Sequence, residues 1–211
     1  MMPFPFFDRS LVLASSSPRR RYLLRLVQIK HRVMSPAVNE KDHAHEDPVR
    51  HVLRLASLKA HSVLPRVKRG TILGADTIVV HGGDILGKPR SEREARRMLR
   101  RLAGEWHTVF TGIAVLDAET GLEAVGYERS EVKIRKMTPA EIAAYVATGE
   151  PMDKAGSYGI QGYGAGIVES IRGCYFNVVG LPIIRLVRLV RELEQDLKKH
   201  GGTRGRSKLR V

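Results

Sequence analysis

The stretch that decides the fold is LVLASSSPRR, residues 11–20 of this 211-residue chain. Its apolar first half predicts a buried strand. Ser17 and Pro18 then predict a helix start, because serine is a favoured N-cap and proline suits the first helical position. A strand that leads into a helix N-terminus leaves unpaired amide N–H groups, which favour an anion. Three serine hydroxyls and the guanidinium groups of Arg19 and Arg20 lie in the same stretch. Residues 15–20 therefore predict a polyphosphate-binding loop, which we call the cradle. The alternative is an ordinary strand–helix turn with its arginines in solvent.

Helices and strands are mixed along the rest of the chain. The spacing of apolar residues and the turn signals predict helices over residues 48–64, 91–104, 138–149 and 182–197, and strands over residues 71–80, 85–86, 107–116, 122–134 and 166–171. Capping boxes at Ser91/Glu94 and Thr138/Glu141 open two of the helices. Because several strands are joined by hairpins, we expect an α/β fold with a mixed, twisted central sheet flanked by helices.

Length and composition predict one domain. Hydrophobic residues make up 43% of the chain, which is enough for a sizeable core, and no apolar stretch approaches the about 20 residues of a membrane span. We expect an N-terminal tail (residues 1–9), a single domain (10–197) and a disordered basic tail (198–211). The start is too short and proline-broken for a signal peptide. The single cysteine, Cys174, fits a reducing cytoplasm and predicts a small buried hydrophobe.

The net charge of +14 predicts an anionic partner, either nucleic acid or a phosphorylated small molecule. A basic nucleic-acid-binding or cell-division regulatory protein is the alternative class. No helix–turn–helix, zinc-finger or aromatic RNA-binding pattern supports it. Much of the charge in the tail is of the kind that is simply solvated. The charge fits either partner, and the missing recognition patterns disfavour nucleic acid and favour a phosphorylated small molecule.

Asp76 is the sharpest single candidate, because it lies inside the apolar run ILGADTIVV, residues 72–80. A carboxylate within such a strand is costly unless it meets a cation or hydrogen-bond donors. The alternative is a structural, hydrogen-bonded aspartate. Gly74 just before it would let a neighbouring backbone or a ligand approach closely.

Two weaker patterns point to other chemistries. Residues 82–89, GGDILGKP, nearly match the phosphate-binding P-loop motif. Pro89 stands where that motif requires Ser or Thr, and it also removes an amide donor. A hairpin turn is therefore the simpler interpretation. The cluster of His43, His45, Glu46 and Asp47 could bind zinc, but lacks helical i, i+4 spacing and a cysteine pair. A polar loop before a helix is favoured there.

The cradle resembles the S-x-S-P-R-R signature of the Maf family of nucleoside triphosphate pyrophosphatases. Four further segments are similar to that family and occur in its order: GADT (74–77), GKP (87–89), DKAGSYGIQG (153–162) and NVVGLP (177–182). The resemblance covers about residues 10–194. It implies two lobes around a cleft, as in Maf and inosine triphosphatase folds, and a homodimer. Ser16 stands where glycine is common in the family, and Cys174 where serine is common.

The resemblance also implies roles for residues. Asp76 is the implied proton acceptor for water, and Glu40 is an implied metal ligand beside Asp76, for Mg²⁺ or Mn²⁺. The implied substrate-binding residues are Ser15, Ser17, Arg19, Arg20, Lys59, Lys88 and Lys154. Cleavage between the α and β phosphorus atoms needs neutralisation of the phosphate charge, a divalent metal and an oriented water. The residues of this set would neutralise that charge, bind the metal and orient the water.

The resemblance assigns base choice to Arg19, Thr77 and Gln161. The sequence of residues 153–162 is similar to the motif of the family branch that cleaves dTTP and UTP. It is less similar to the motif of the branch that acts on 7-methyl-GTP. A glutamine can pair with the imide edge of thymine or uracil, and Tyr158 and Tyr163 are interspersed nearby. The resemblance thus implies hydrolysis of dTTP and UTP, with CTP or modified pyrimidine nucleotides as further substrates, to monophosphate and diphosphate. That activity would clean the nucleotide pool.

Overall fold

The computed structural model describes residues 9–38 and 46–204, with side chains to residue 199. The strands are β1 (Leu11–Ala14), β2 (His31–Val33), β3 (Thr71–His81), β4 (Asp84–Leu86), β5 (Trp106–Asp117), β6 (Glu123–Ile134) and β7 (Val168–Arg172). The helices are α1 (Pro18–Leu26), α2 (Pro48–Val63), α3 (Glu92–Leu102), α4 (Pro139–Ala147), α5 (Tyr175–Val179) and α6 (Ile183–Arg204). Short 3-10 turns occur at Leu64–Arg66, Glu150–Asp153, Ala155–Ser157 and Gly162–Gly166.

One mixed sheet of seven strands organises these elements, in the order β2-β1-β3-β5-β6-β7, with β4 paired to β3. Strand β1 is parallel to β2 and β3, whereas β3, β5, β6 and β7 pair antiparallel in sequence. The predicted mixed α/β fold is therefore confirmed. The parallel pairing of β1 with β3 aligns Ala14 with Gly74, which brings the loop after β1 to the same sheet edge as Asp76.

Three apolar clusters form two lobes. One cluster packs α2 on the first half of the sheet, and a second packs α1 and α6 on the opposite face. The third lies under α3 and α4, at the far ends of β3, β5 and β6. The predicted arrangement of two lobes with a cleft between them is confirmed.

Helix α2 lies unusually close to the sheet because two glycines face it. A Cβ added at Gly74 would collide with the carbonyl oxygen of Ala56 and lie 2.8 Å from the amide nitrogen of Ala60. A Cβ at Gly112 would collide with the carbonyl of Val52. The prediction that Gly74 permits a close backbone approach is confirmed, and the approaching backbone is that of α2.

The local signals in the sequence account for most element ends. Thr138 and Glu141 form the predicted capping box. At α3, Ser91 accepts from the Glu94 amide as predicted, but the Glu94 carboxylate accepts from the amide of Arg90 rather than that of Ser91. The turn before β4 has positive φ at both glycines, 59° at Gly82 and 86° at Gly83, so the hairpin interpretation of GGDILGKP is confirmed.

The two termini differ in what can be described. Helix α6 continues to Arg204, beyond the predicted end at Leu197, so part of the tail predicted to be disordered is helical. Of the predicted N-terminal tail only Arg9 is described, and its guanidinium pairs with Asp117 and Glu119. Cys174 is partly rather than fully buried. Within the described residues, no helix combines the length and apolar character needed to cross a membrane.

Candidate active site

A cleft of about 340 Å³ opens between the two lobes and has the size of a small-ligand pocket. Its walls come from α1, α2, β3, β4, the segment around residues 153–161 and the end of α5. The predicted site residues that line it are Ser17, Arg19, Arg20, Lys59, Asp76, Thr77, Lys88, Lys154 and Gln161. The fold therefore gathers into one place residues that are far apart in sequence.

Asp76 and Lys59 form a buried ion pair at the base of this cleft. The Nζ atom of Lys59 lies 2.6 Å from Oδ1 of Asp76, and each residue is 6% exposed. The ammonium offsets the desolvation cost of the carboxylate. The other oxygen, Oδ2, is also buried and has no hydrogen-bond partner among the described residues. A carboxylate that is fixed through one oxygen and unpaired at the other can take a proton or a cation there.

The close packing of α2 explains why Lys59 reaches Asp76. His51, Leu55 and Lys59 follow one another at intervals of four residues, so they lie on one face of the helix and all line the cleft. Because Gly74 lets this helix press against β3, the aliphatic stem of Lys59 is buried and its ammonium meets the strand directly.

Arg20 lines the cleft but also braces three parts of the chain. Its Nε atom donates to the carbonyl of Gly180 at 2.9 Å, Nη1 to Oγ of Ser15 at 3.1 Å, and Nη2 to Oγ1 of Thr77 at 3.0 Å. The side chain is buried among these partners. The guanidinium fork is therefore engaged by protein oxygens, and its predicted contact with phosphate stays a prediction.

Ser15 and Ser17 behave differently from each other. Ser15 is buried behind the cleft, where its hydroxyl accepts from the amide of Ser17 at 3.2 Å and from Arg20. Ser17 occupies the N-cap position of α1 as predicted, but its side chain makes no capping hydrogen bond. Ser17 lines the cleft at this helix start. The helix N-terminus therefore faces the cleft without its own side-chain cap, which suits an anion.

The mouth of the cleft carries exposed charge. Arg19 Nη1 lies 3.0 Å from Asp153 Oδ2, and the two side chains are 29% and 58% exposed. Lys154 donates to Asp153 at 2.7 Å and to the carbonyl of Glu150 at 2.6 Å. Burial raises the pKa of Asp153, but the hydrogen bond from Lys154 and the charge of Arg19 outweigh it and leave the pKa below its ordinary value. Lys88 is exposed and also lines the cleft.

Not every side chain of the segment predicted to recognise the base lines the cleft. Gln161 is half-buried and lines the cleft, as does Tyr158. The hydroxyl of Tyr158 is held by Nε2 of His107 at 2.6 Å, in the interior. Tyr163 is 72% exposed and does not line the cleft, so of the two tyrosines near Gln161 only Tyr158 borders it. The positive φ of Gly162 turns the chain between Gln161 and Tyr163, which sends the second ring to solvent.

Sequence reasoning missed His51, which is 2% exposed and lines the cleft. Its Nδ1 atom lies 2.8 Å from Oε2 of Glu46, whose carboxylate is also bound by Arg54 at 2.6 and 2.7 Å. The hydrogen bonds from Arg54, against the opposing effect of burial, lower the pKa of Glu46 to about 2. The interval of four between His51, Leu55 and Lys59 was the signal that could have revealed this histidine.

The predicted metal ligand Glu40 lies outside the described residues, as do His43 and His45 of the alternative zinc cluster. In the part of the chain that the structure describes, no group of three or more His, Cys, Asp or Glu side chains is arranged to hold a metal ion. The unpartnered Oδ2 of Asp76 is a suitable ligand atom for a hard divalent cation.

Comparison with known proteins places these observations in a family. Residues 10–193 match the Maf-like protein family. The dTTP/UTP pyrophosphatase of Dictyoglomus thermophilum is 46% identical over 190 residues, which cover 90% of this chain and 98% of that protein. The proteins of the same name from Moorella thermoacetica and Alkaliphilus metalliredigens are 49% and 50% identical, covering 85% and 83% of this chain and 93% and 92% of theirs.

Solved structures give more distant likenesses. The Ham1 protein of Staphylococcus aureus is 13% identical with a TM-score of 0.45, covering 74% of this chain and 78% of that one. A nucleoside-triphosphatase, dITP/XTP pyrophosphatase, from Mycobacterium abscessus is 15% identical with a TM-score of 0.37, covering 66% and 95%. The family match and the identities of 46–50% decide the assignment. The chain, with its cradle, buried aspartate and cleft, belongs to the Maf-like protein family.

Proposed function

We propose that this protein hydrolyses dTTP and UTP to the nucleoside monophosphate and diphosphate. The observation that carries the proposal is the buried Asp76 carboxylate, paired through one oxygen and unpaired at the other among the described residues, at the base of a cleft lined by cations. The names of the relatives in Dictyoglomus, Moorella and Alkaliphilus support the reaction and the substrates.

The cations of the cleft would offset the charge of the triphosphate. Arg19, Lys88 and Lys154 lie at its mouth and on its walls, where they can meet phosphate oxygens. Arg19 and Lys154 already contact Asp153, so an incoming phosphate would compete with that carboxylate for them. Such competition favours a highly charged ligand over a monophosphate, which helps the product to leave.

Asp76 would act as the general base. Its free oxygen can accept the proton of a water molecule as that water attacks the α-phosphorus, which releases diphosphate as the leaving group. Lys59 keeps the carboxylate in place, because its ammonium donates to the other oxygen. Lys59 thus leaves Oδ2 as the oxygen that can meet either the attacking water or a cation.

A divalent cation, Mg²⁺ or Mn²⁺, is part of the proposal. Asp76 would supply one ligand oxygen, and Glu40 is proposed as a second. When bound, such an ion neutralises phosphate charge and lowers the pKa of a coordinated water.

Base preference would come from Gln161, with Thr77 and Arg19 beside it. Gln161 and Thr77 both line the cleft, and the Thr77 hydroxyl is already held by Arg20 and by Thr111 at 2.9 Å. A fixed hydroxyl and a primary amide suit the imide edge of thymine or uracil. CTP and modified pyrimidine nucleotides are proposed as secondary substrates, in a role that cleans the nucleotide pool. We also propose a homodimer in the cytoplasm, supported by the family resemblance and by the single cysteine.

The test is release of diphosphate from a panel of nucleoside triphosphates, with Mg²⁺, with Mn²⁺ and with a chelator. We expect the highest kcat/KM for dTTP and UTP, weak action on ATP and GTP, no activity with the chelator, and monophosphate and diphosphate formed together. Orthophosphate as the first product, or no hydrolysis of any triphosphate in the presence of metal, would refute the proposal.

A further inference from the structure

The loop that carries Gln161 is wound around a single carboxylate, that of Glu150. Oε1 of Glu150 accepts from the Tyr145 hydroxyl at 2.8 Å and from the Gly164 amide at 3.0 Å. Oε2 accepts from the Tyr163 amide at 2.9 Å. Three donors thus converge on one side chain that the sequence motifs do not single out. Because hydrogen bonds to an ionised acceptor are the stronger kind, this carboxylate is the main anchor of the loop.

Tyr145 holds the other end of the same loop. Its hydroxyl accepts from the Gly159 amide at 3.1 Å while it donates to Glu150. Tyr145 belongs to α4, and its side chain packs in the apolar core, with the residue 6% exposed. Burial raises the pKa of Tyr145 above its ordinary value, and the adjacent carboxylate raises it further, so the phenol stays protonated and able to donate.

These anchors bracket Gln161. Gly159 and Tyr163 stand two positions before and two positions after it, and both amides end on the Tyr145–Glu150 pair. Gln161 itself is extended, with φ −108° and ψ 166°. A five-residue segment whose two end amides are both held has little freedom to move. The position of the Gln161 amide in the cleft is therefore determined by a pair of side chains that do not themselves line the cleft.

Two glycines allow the loop to close so tightly. A Cβ at Gly162, where φ is +68°, would collide with Oε2 of Glu150. A Cβ at Gly164 would collide with the carbonyl oxygen of Gly159 and lie 2.8 Å from the Tyr145 hydroxyl. The glycines of this segment are thus explained by close approach to the anchor pair, not by flexibility.

We propose that Tyr145 and Glu150 are positioning residues that set the base preference of the enzyme by fixing Gln161 in the cleft. The inference rests on the proposed function, since it assigns to the pair a selectivity that the nucleotide panel must first display. The side-chain contacts of the pair lie on the Gln161 loop, so we expect the pair to act on base binding rather than on the Lys59–Asp76 end of the cleft.

The test compares Tyr145→Phe and Glu150→Gln with the wild-type enzyme on UTP and ATP. Tyr145→Phe removes only the hydroxyl and keeps the buried ring. We expect each variant to lower the ratio of kcat/KM for UTP over ATP by about fivefold to tenfold, as befits one or two lost hydrogen bonds. The loss should appear as a raised KM for UTP, while kcat at saturating UTP stays within about threefold.

Gln161→Ala supplies the decisive background. If the pair acts through Gln161, adding Tyr145→Phe to Gln161→Ala lowers the ratio no further, because coupled residues are not additive. Thr138→Ala is the matched control, since it removes the cap of the same helix α4 but leaves the anchor contacts intact. We expect the control to lower thermal stability and to keep the wild-type ratio.

Three results would overturn the inference: an unchanged ratio in both anchor variants, an equal fall in the Gln161→Ala background, or the same fall in Thr138→Ala. If the wild-type enzyme hydrolyses all triphosphates equally, the result refutes the proposed substrate preference instead. Hydrogen exchange then decides the positioning role. Faster exchange of the Gly159, Tyr163 and Gly164 amides in Tyr145→Phe supports it, and unchanged exchange refutes it.

Discussion

The Nζ atom of Lys59 lies 2.6 Å from Oδ1 of Asp76, in a contact from which solvent is almost excluded. The pair joins a helix to a strand, and it exists because Gly74 lets α2 rest directly on β3. An ion pair of this kind costs desolvation energy, so its presence at the base of a cationic cleft marks a site where charge is needed.

Asp76→Asn should reduce kcat by at least about 100-fold, because the amide keeps the shape of the carboxylate but cannot accept a proton. Diphosphate release from UTP measures the loss, and near-ultraviolet circular dichroism checks that the variant is folded. A folded variant with turnover close to that of the wild type would contradict the role of Asp76 as base.

Lys59→Met should lower the free energy of unfolding by about 3–5 kcal/mol, because it leaves the Asp76 carboxylate buried without its cation. Adding Asp76→Asn should recover part of that loss without restoring activity. Urea unfolding of the four proteins of this cycle measures the coupling. The control is Lys133→Met, which breaks the partly exposed Lys133–Glu169 pair and should cost no more than about 1 kcal/mol. Equal losses in Lys59→Met and the control would contradict the prediction.

Arg20→Lys should destabilise the protein by at least about 2 kcal/mol, because a lysine cannot satisfy the carbonyl of Gly180 and the hydroxyls of Ser15 and Thr77 together. Arg25→Lys, in the exposed last turn of the same helix, should change stability by less than about 0.5 kcal/mol. Thermal unfolding compares the two. A fully stable Arg20→Lys protein would show that the brace is dispensable.

Gln161→Ala should reduce the preference for UTP over ATP more than it reduces kcat for UTP. The amide can pair with the base edge, whereas the reacting phosphate meets other residues. Steady-state kinetics on both nucleotides measure the ratio. A variant that loses turnover but keeps the wild-type ratio would place Gln161 in the reaction rather than in base choice.

His107 should make the protein less stable as the pH falls. Burial, with a smaller effect of His81, lowers the pKa of His107 from 6.5 to about 4. Between these values the unfolded chain takes up a proton that the folded protein excludes, so stability declines on going from pH 6.5 to about 4. The decline is at most about 3 kcal/mol.

His107→Gln should flatten this part of the pH profile while keeping a polar partner for the Tyr158 hydroxyl. Urea unfolding at several pH values measures the slope. His61→Gln, at an exposed histidine, is the control because it leaves the His107 site intact. An unchanged slope in His107→Gln would mean that other groups cause the acid sensitivity.

The sequence predicted the long elements well, since each carries a period and an end signal that act locally. Strand β3 and helix α2 were placed within one residue of their observed bounds, because an unbroken apolar run and a Pro48-led stripe leave few alternatives. Strand β2 and helix α5 were missed. Each is five residues or fewer, which is too short for either periodicity to register, and each depends on neighbours that are distant in sequence.

The residues of the cleft were predicted mainly from motifs, but their partners were not. Nothing local in the sequence indicates that Arg20 reaches Gly180, 160 positions away, or that the Glu150 carboxylate gathers the loop after it. Such contacts arise from topology, which brings β1, β3 and the segment after α5 together. Motifs thus identified which side chains belong to the site, whereas the fold determined what each one does there.

The support of the Gln161 loop has a consequence for transferring nucleotide choice between relatives. Tyr145 and Glu150 hold the two ends of residues 159–163. Three other residues of the segment, Asp153, Ser157 and Tyr158, bond to Arg19, Met98 and His107. Moving residues 150–164 between relatives would therefore require their tyrosine partner on α4 and also their bonding partners on α1, α3 and β5. Substituting Gln161 alone would place the new side chain on a backbone that Tyr145 and Glu150 hold in the position suited to glutamine.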